Sequence, residues 1–171
     1  MKAKEVSPES PQAYRNLARI YMYKKQSKKA VDLLEAGIKS SGKNLGLLLD
    51  LAGLQEVSGN EQEAIQVYET ILEKRPGAIQ AVNNLAMLLI RRNQPEDVNQ
   101  AYQLVKGIEK VTNPFYQDTI GWVKYKKGDL DAALQHIQVA AENAEINYHL
   151  GMVYQKRGNI ALVKKHLETA V

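Results

Sequence analysis

The sequence predicts an all-α protein, a solenoid built from about five helix–turn–helix repeats. Three observations predict this fold class. Small and apolar residues recur at an interval of 34 through the first three copies, which is the signature of a repeat architecture. Apolar residues within each copy follow the i, i+3, i+4, i+7 spacing of an amphipathic helix, and no window alternates with the period of two expected of a strand. Gly-Asn or Gly-Asp pairs divide several copies into halves, as turns between helices do.

Two columns of small residues define the repeat. The segment YRNLARIYMYKKQSKKAVDLLEAGI aligns with LLDLAGLQEVSGNEQEAIQVYETIL at the interval of 34. Two antiparallel helices approach each other closely only where their facing side chains are small. The first column consists of Ala18, Ala52, Ala86, Gly121 and Gly151, and the second of Ala30, Ala64, Ala101, Ala133 and, as an exception, Val163.

The first two copies are predicted to contain four helices. Helices 11–24 and 27–40 form the first repeat, and helices 45–57 and 61–74 form the second. Gly59 and Asn60 mark the turn inside the second repeat, and Pro76 marks its end. An N-terminal extension, residues 1–10, precedes the repeats.

The last three copies are predicted to contain six helices, at 79–92, 95–111, 114–127, 130–142, 144–157 and 160–171. The spacing between the two small columns rises from 12 to 15 in the third copy, so RRNQPEDVNQ carries a three-residue insertion. The five units therefore span about 11–44, 45–78, 79–113, 114–143 and 144–171. The last unit is incomplete at Val171, which suggests an excised part of a longer chain whose open apolar end could self-associate.

One short motif points to a different class of protein. GIKSSGKN, Gly37 to Asn44, is one residue short of a phosphate-binding P-loop, with Asn44 where Ser or Thr would hold magnesium. A P-loop follows a buried strand and opens a helix. The repeat alignment instead places Gly37 inside a helix, with Gly42 and Lys43 at its C-terminal stop. We interpret the motif as a coincidence and predict no nucleotide cofactor.

Composition and charge exclude several other classes. The chain of 171 residues has no Cys, which excludes disulfides and thiol catalysis. Its net charge is +4, but residues 44–100 carry eight acidic against four basic residues, so no continuous basic track exists for a nucleic acid. The most apolar run, LGLLLDLAGL, is too short to span a bilayer, and no signal peptide begins this sequence. We expect a soluble protein, cytoplasmic or periplasmic, without direct membrane insertion.

Catalytic and metal-binding patterns were not found in the sequence. His136, His149 and His166 have no metal-like spacing within a helix, and the first and last occupy equivalent packing positions in successive repeats. A serine nucleophile on a glycine elbow is absent. Paired acidic residues occur where second helices begin, and there they favour the helix dipole. We therefore predict neither enzymatic activity, nor a cofactor, nor a metal site.

The repeat resembles the tetratricopeptide repeat over residues 11–171, through its period, its small-residue columns, its glycine turns and the closing Pro76. Gly42 at the end of the first unit, the insertion in the third unit and Val163 depart from the pattern. The resemblance implies a right-handed superhelical solenoid whose first helices line a concave face that binds a protein or peptide partner.

The resemblance also implies which residues face that groove. The predicted partner-binding set is basic at one end, amide-lined in the middle and aromatic at the other end. In this numbering it comprises Arg15, Asn16, Arg19, Asn83, Asn84, Asp118, Trp122, Tyr125, Tyr148, His149 and Met152.

Individual roles in this set follow from the side chains. We expect Trp122 to be an aromatic anchor, although packing between adjacent helices is an alternative for Trp122 and Tyr125. The Asn83–Asn84 pair is expected to hold a peptide backbone, and Arg15 and Arg19 to steer an acidic segment.

Two further resemblances bear on biological role. Asp50 stands where family members that grip a chaperone's C-terminal carboxylate have Asn, so it disfavours that ligand. The segments NNLAMLLIRRNQPEDVNQAYQLV, NPFYQDTIGWVKYKKGDLDAAL and INYHLGMVYQKRGNIALVKKHLETAV resemble the C-terminal part of large bacterial proteins associated with exopolysaccharide and cell-envelope export. The function predicted is a protein–protein interaction scaffold in such a bacterial assembly. A self-assembly module and a regulatory domain attached to a catalytic domain are the alternatives.

Overall fold

The computed structural model describes residues 10–140 and 143–170. Within these ranges the chain forms ten α-helices and no strand, so the predicted all-α class is confirmed. Residues 1–9 of the predicted N-terminal extension and Val171 lie outside the described residues. The helices are α1 (Pro11–Tyr23), α2 (Ser27–Ser40), α3 (Leu45–Val57), α4 (Glu61–Lys74), α5 (Ile79–Arg92), α6 (Pro95–Lys106), α7 (Pro114–Lys127), α8 (Leu130–Ile137), α9 (Ala144–Lys156) and α10 (Ile160–Thr169).

The chain divides into two compact units. Unit 1 ends at Ala81 and unit 2 begins at Val82, within the first turn of α5. The first unit holds the helical hairpins α1–α2 and α3–α4, and the second holds α7–α8 and α9–α10 together with most of α5 and all of α6.

The hairpins of unit 1 are packed through small residues. A methyl group placed on Gly37 of α2 would lie 2.6 Å from Cγ of Tyr14 in α1, so only a hydrogen atom fits there. Ala30 is completely buried beside them. The surrounding core is apolar, and its buried members are Ala18, Ala30, Leu34, Leu47, Leu51 and Leu54.

The hairpins of unit 2 use glycine in the same way. A methyl group on Gly121 of α7 would lie 2.9 Å from the backbone oxygen of Ala133 in α8. One on Gly151 of α9 would lie 2.7 Å from Cγ of Leu167 in α10. The first clash is with backbone and the second with a side chain that can rotate, so α7 and α8 are the more tightly constrained pair.

The turn inside each successive helix pair contains one residue with a left-handed backbone. These residues are Lys25 (φ 57°), Gly59 (φ 81°), Asn93 (φ 55°), Gly128 (φ 94°) and Gly158 (φ 73°). Glycine adopts this conformation without a steric cost, whereas a side chain costs about 1 kcal/mol or more. The turns predicted at the three glycines are therefore present.

Amide and carboxylate side chains cap five of the helices. In each case a side-chain oxygen accepts a hydrogen bond from a backbone N–H of the first turn, which satisfies donors that the helix itself cannot pair. The capping residues are Asn44 for α3, Asn113 for α7, Asp129 for α8, Asn143 for α9 and Asn159 for α10.

Two predicted helices were too long. The prediction extended α6 to residue 111, but the helix ends at Lys106 and turns follow from Gly107. The prediction extended α8 to residue 142, but the helix ends at Ile137 and residues 138–140 form a turn and bend, while 141–142 lie outside the described residues. In both cases apolar residues continue beyond the helix end: Ile108 is buried from a turn.

The P-loop-like segment has a helical context. Gly37 lies within α2, and Gly42 (φ 67°) and Lys43 (φ 66°) follow the end of that helix with left-handed backbones. Asn44 caps α3 by accepting hydrogen bonds from the N–H groups of Gly46 and Leu47. The segment therefore connects two helices, and the strand–loop–helix geometry of a P-loop is not what these residues form.

A repeated hydrogen bond links the helices of both hairpins in unit 2. The Nδ1 atom of His136 lies 2.7 Å from Oε1 of Gln117, and Nδ1 of His166 lies 2.8 Å from Oδ1 of Asn147, each pair 19 residues apart. Burial lowers the pKa of His136, and the nearby Lys124 ammonium acts in the same direction. The folded state therefore favours the neutral imidazole, which fits a packing role.

We expect Gly121→Ala to destabilise the protein by about 1–3 kcal/mol, because the added methyl group overpacks the α7–α8 contact. Gly53→Ala is the matched control: its added methyl group meets no atom within 4 Å in α3, so it should stabilise the helix by about 0.5–1 kcal/mol. Urea denaturation followed by circular dichroism measures both. Equal effects of the two substitutions would contradict the packing role of Gly121.

Candidate functional site

An aromatic cluster connects α7 and α9 within unit 2. The indole of Trp122 stacks on the ring of Tyr125 at 4.7 Å between centroids and on the imidazole of His149 at 4.0 Å. Tyr148 lies 6.2 Å from the indole in a tilted orientation. Tyr148 is 46% exposed, whereas Trp122 is only 9% exposed. Most of the indole surface is therefore already used in contacts within the unit.

A polar group lies beside this cluster. Nδ1 of His149 is 2.9 Å and 3.1 Å from the two carboxylate oxygens of Asp118. The Asp118 side chain is 13% exposed and that of His149 is 5% exposed, so this is a largely desolvated ion pair when the imidazole is protonated. Glu145, on the same helix as His149, is exposed.

A pocket of about 330 Å³ opens next to the Asp118 carboxylate. Its lining combines apolar side chains with side chains that carry oxygen atoms. Phe115, in the first turn of α7, is 65% exposed at this pocket. The lining residues are Met87, Phe115, Asp118, Thr119, Asn143, Glu145 and Ile146.

Lysines and tyrosines shape the electrostatics around the aromatic cluster. The Lys126 ammonium lies 5.2 Å from the centroid of Trp122, and the Lys156 ammonium lies 4.4 Å from that of Tyr125, both within cation–π distance. Burial raises the pKa of Tyr125, and the neighbouring Tyr148 adds to the shift. The Tyr125 hydroxyl therefore remains protonated at neutral pH.

The predicted asparagine pair is partly internal. Asn83 is 3% exposed, and its amide nitrogen donates to Oδ1 of Asn84 at 3.2 Å. Its own Oδ1 atom is buried and has no hydrogen-bond partner among the described residues. An unpaired buried acceptor costs free energy, and a peptide could reach this atom only if its surroundings moved.

Three residues of the predicted set belong to unit 1. Arg15 forms two hydrogen bonds with Asp50, from Nε at 2.6 Å and from the terminal nitrogen at 3.0 Å. The side-chain hydrogen bond to Asp50 raises the pKa of Arg15, against the opposing effect of burial. Asn16 accepts a hydrogen bond from Gln12 at 2.8 Å, and Arg19 is exposed. Asp50 therefore neutralises one of the two positive charges, those of Arg15 and Arg19, that the sequence predicted for this part of the groove.

The structure brings together only part of the predicted set. Asp118, Trp122, Tyr125, Tyr148 and His149 form one contiguous group in unit 2. The remaining unit 2 members include the Asn83–Asn84 pair and Met152, which is half-buried on α9. The partner-binding role of every member stays a prediction.

Two residues outside the predicted set, Glu145 and Phe115, border the same pocket. Glu145 precedes His149 by four residues on α9 and therefore lies on the same face of that helix. Only the three histidines were compared with one another for metal-like spacing, so this signal was missed. Phe115 was overlooked because it opens a helix, outside the columns that the repeat defines.

Comparison with known proteins addresses family and fold. A family profile described as "Tetratricopeptide repeat" matches residues 11–44. The first hairpin matches the tetratricopeptide repeat. This supports the family assignment made from the sequence. No curated protein sequence matches the chain.

Solved structures resemble almost the whole chain, and two of the three named here are described as TPR proteins. MamA from Desulfovibrio magneticus RS-1 is 15% identical with a TM-score of 0.79, covering 96% of this chain and 94% of its own. TTC0263 from Thermus thermophilus is 20% identical with a TM-score of 0.68, covering 94% and 92%. YrrB, described as a TPR protein with an unusual peptide-binding site, is 17% identical with a TM-score of 0.71, covering 95% and 85%. At these identities the likeness shows the fold.

None of the helices in residues 10–140 and 143–170 is both long enough and apolar enough to cross a bilayer.

Single replacements of Trp122 and of Phe115 distinguish an aromatic residue that stabilises the fold from one that is exposed. Trp122→Ala should destabilise the protein by about 3 kcal/mol, because it leaves a cavity between stacked rings. Phe115→Ala should change the stability by less than about 0.5 kcal/mol, because the ring is mostly in solvent. Thermal and urea denaturation of both variants measure the difference. A larger loss in Phe115→Ala than in Trp122→Ala would contradict the burial described above.

Proposed function

We propose that this chain is a non-catalytic protein-interaction scaffold that binds a peptide segment of a partner protein at the pocket of unit 2. The observation that carries the proposal is the pocket itself. Phe115, Met87 and Ile146 provide an apolar wall, and exposed Tyr148 is displayed by the same pair of helices. Binding sites for short segments combine such apolar surfaces with a few oriented polar groups.

The polar side of the pocket defines the chemistry of the occupant. Asp118, Asn143 and Glu145 are the lining residues whose side-chain oxygens can accept hydrogen bonds, and those of Asp118 and Asn143 already have one partner each, His149 and the N–H of Ile146. A peptide could place an apolar side chain between Phe115 and Met87 and direct backbone N–H groups toward these acceptors. Trp122 and Tyr125 would then act from behind the pocket, by holding α7 and α9 at a fixed separation.

The comparisons support this proposal at the level of the fold. Tetratricopeptide proteins share a fold built for binding other proteins, and YrrB is described as having a peptide-binding site. The Arg15–Asp50 pair in unit 1 makes that region less suited to steering an acidic segment than the sequence alone suggested. Arg19 remains exposed there.

We further propose that the scaffold works within a larger bacterial assembly, as the resemblance of its last three repeats to export-associated proteins implies. The solved structures of similar fold include proteins from Desulfovibrio magneticus and Thermus thermophilus. Co-purification of a defined partner complex from a bacterial host carrying the native gene would test this. A protein that elutes only as free chain under those conditions would contradict it.

Peptide binding can be tested without knowing the partner. A random peptide library displayed on phage is selected against the immobilised chain, and the enriched peptides are then measured by fluorescence anisotropy. Phe115→Ala should weaken their binding about tenfold or more, since an apolar anchor in a pocket contributes over 1 kcal/mol. This effect should be the same at low and high salt, because it does not depend on charge.

Tyr23→Ala is the matched control, because Tyr23 is an aromatic residue that is 91% exposed in unit 1. Its replacement should leave peptide affinity unchanged. Replacing Arg15 and Arg19 with Gln should alter only the association rate, and only at low salt. Failure to enrich any peptide, or equal losses in Phe115→Ala and Tyr23→Ala, would refute the assignment of the site to this pocket.

Self-association is a second candidate function, favoured by the surface of α10. No residue of α10 is buried, and Ile160 is 81% exposed. Light scattering should show dimers at high concentration, and Ile160→Lys should abolish them. Ile20→Lys, at an apolar residue that is 50% exposed on α1, is the control that should have no effect. A monomer at the highest soluble concentration would exclude this function.

A further inference from the structure

We propose that Asp118, Glu145 and His149 form a binding site for a divalent transition-metal ion. One ligand atom from each of these side chains lies within 4.8 Å of the other two. The inference goes beyond peptide binding, because it concerns an inorganic ligand that requires no partner protein. It rests on side-chain geometry that the tetratricopeptide fold does not itself prescribe.

Two helices supply the three ligands. Glu145 and His149 are four residues apart on α9, so both side chains project from the same face of that helix. Asp118 comes from α7, whose contact with α9 is fixed by the Trp122–His149 stack at 4.0 Å. Asn143 caps α9 by accepting from the N–H of Ile146, which holds the first turn that carries Glu145. The backbone positions of the three ligands are therefore set by packing.

The distances fit a metal centre. Zinc binds imidazole nitrogen and carboxylate oxygen at about 2.0–2.2 Å, so neighbouring ligand atoms in a tetrahedral site lie about 3.4 Å apart. Nδ1 of His149 and the Asp118 oxygens are already separated by 2.9 and 3.1 Å. Glu145 is the exposed member of the set, and its side chain has the freedom to close the remaining gap. Glu145 has to approach, and Asp118 and His149 have to separate by about 0.3–0.5 Å, because the ion replaces the hydrogen bond between them.

The donor set selects the class of ion. Imidazole is a good ligand for zinc, nickel and copper, whereas magnesium and calcium prefer sites made of oxygen alone. Three protein ligands leave at least one coordination position for water or another donor. Asp118 and Glu145 both line the pocket of about 330 Å³, so an open position could face that space.

A simpler interpretation treats Asp118 and His149 as an ion pair and Glu145 as a solvated surface residue. The two interpretations differ in the importance of Glu145. The ion pair does not need Glu145, whereas a three-ligand site loses one of its ligands when Glu145 is replaced. This difference determines the design of the experiment.

Trp122 provides a direct signal, because it is the only tryptophan of the chain and stacks on His149. Zinc chloride is titrated into the full chain without peptide while tryptophan emission and the melting temperature are recorded. We expect a saturable change in emission with one ion per chain, a higher melting temperature and reversal of both by a chelator. Magnesium chloride at the same concentrations should change neither.

The variants identify the ligands. Glu145→Gln should weaken zinc binding roughly tenfold or more while the melting temperature without metal stays the same, because the residue is exposed. Asp118→Asn should weaken it as well. The matched controls are Glu63→Gln, at an exposed acidic residue of α4, and His166→Gln, at a histidine outside the set. Neither control should affect the titration.

Two results would overturn the proposal. The first is the absence of a saturable response to zinc in the unmodified chain. The second is a response that Glu145→Gln leaves unchanged, because that would show binding at another histidine or at scattered carboxylates. Since no peptide is present, failure of the metal site leaves the peptide experiment unaffected, and failure of the peptide experiment leaves this one unaffected.

Discussion

Close contact between the two helices of a hairpin is the constraint on which the rest of each unit depends. Glycine allows this contact, because it has a hydrogen atom in place of a side chain. Gly37 faces Tyr14, and Gly121 faces the backbone of Ala133. Helices at this separation bury apolar residues on both sides, and apolar burial provides the main stabilisation of a solenoid. When the small residues of two helices face each other, the rotation of each helix about its own axis is fixed. The direction of its outward-facing side chains is then fixed as well.

Most of this fold could be predicted from periodicity, because small residues recur in both columns of successive copies, with Val163 as the exception and a longer spacing in the third copy. The ends of α6 and α8 could not. Ile108 continues the helical pattern of Val105 past Lys106, yet it lies in a turn, where it is buried. After Ile137 no Pro or Gly marks the end of α8. Gly107, which caps α6, is a local stop signal that the continuing apolar pattern outweighed, whereas α8 ends at Ile137 with no such residue after it.

The candidate site was predicted in part. The resemblance to the repeat family predicted that Trp122 and Tyr125 share a face of α7, and the two rings do stack. Spacing cannot predict how far a neighbouring helix covers that surface. His149 stacks on the indole and leaves it 9% exposed, so the largest aromatic ring supports the site from within. The exposed ring, Phe115, belongs to no repeat column and was therefore invisible to an alignment of the repeats.

The left-handed residue of each hairpin turn bears on the order in which the hairpins open. Lys25 occupies this conformation in the first turn, where Gly128 and Gly158 occupy it in the last two. A lysine there raises the energy of the closed hairpin by about 1 kcal/mol relative to glycine. Fluctuations that separate paired helices are local unfolding events with their own free energies. The backbone amides of α1 and α2 should consequently exchange their hydrogens with solvent sooner than those of α7 and α8, and the Asn93 turn should have the same effect on α5 and α6.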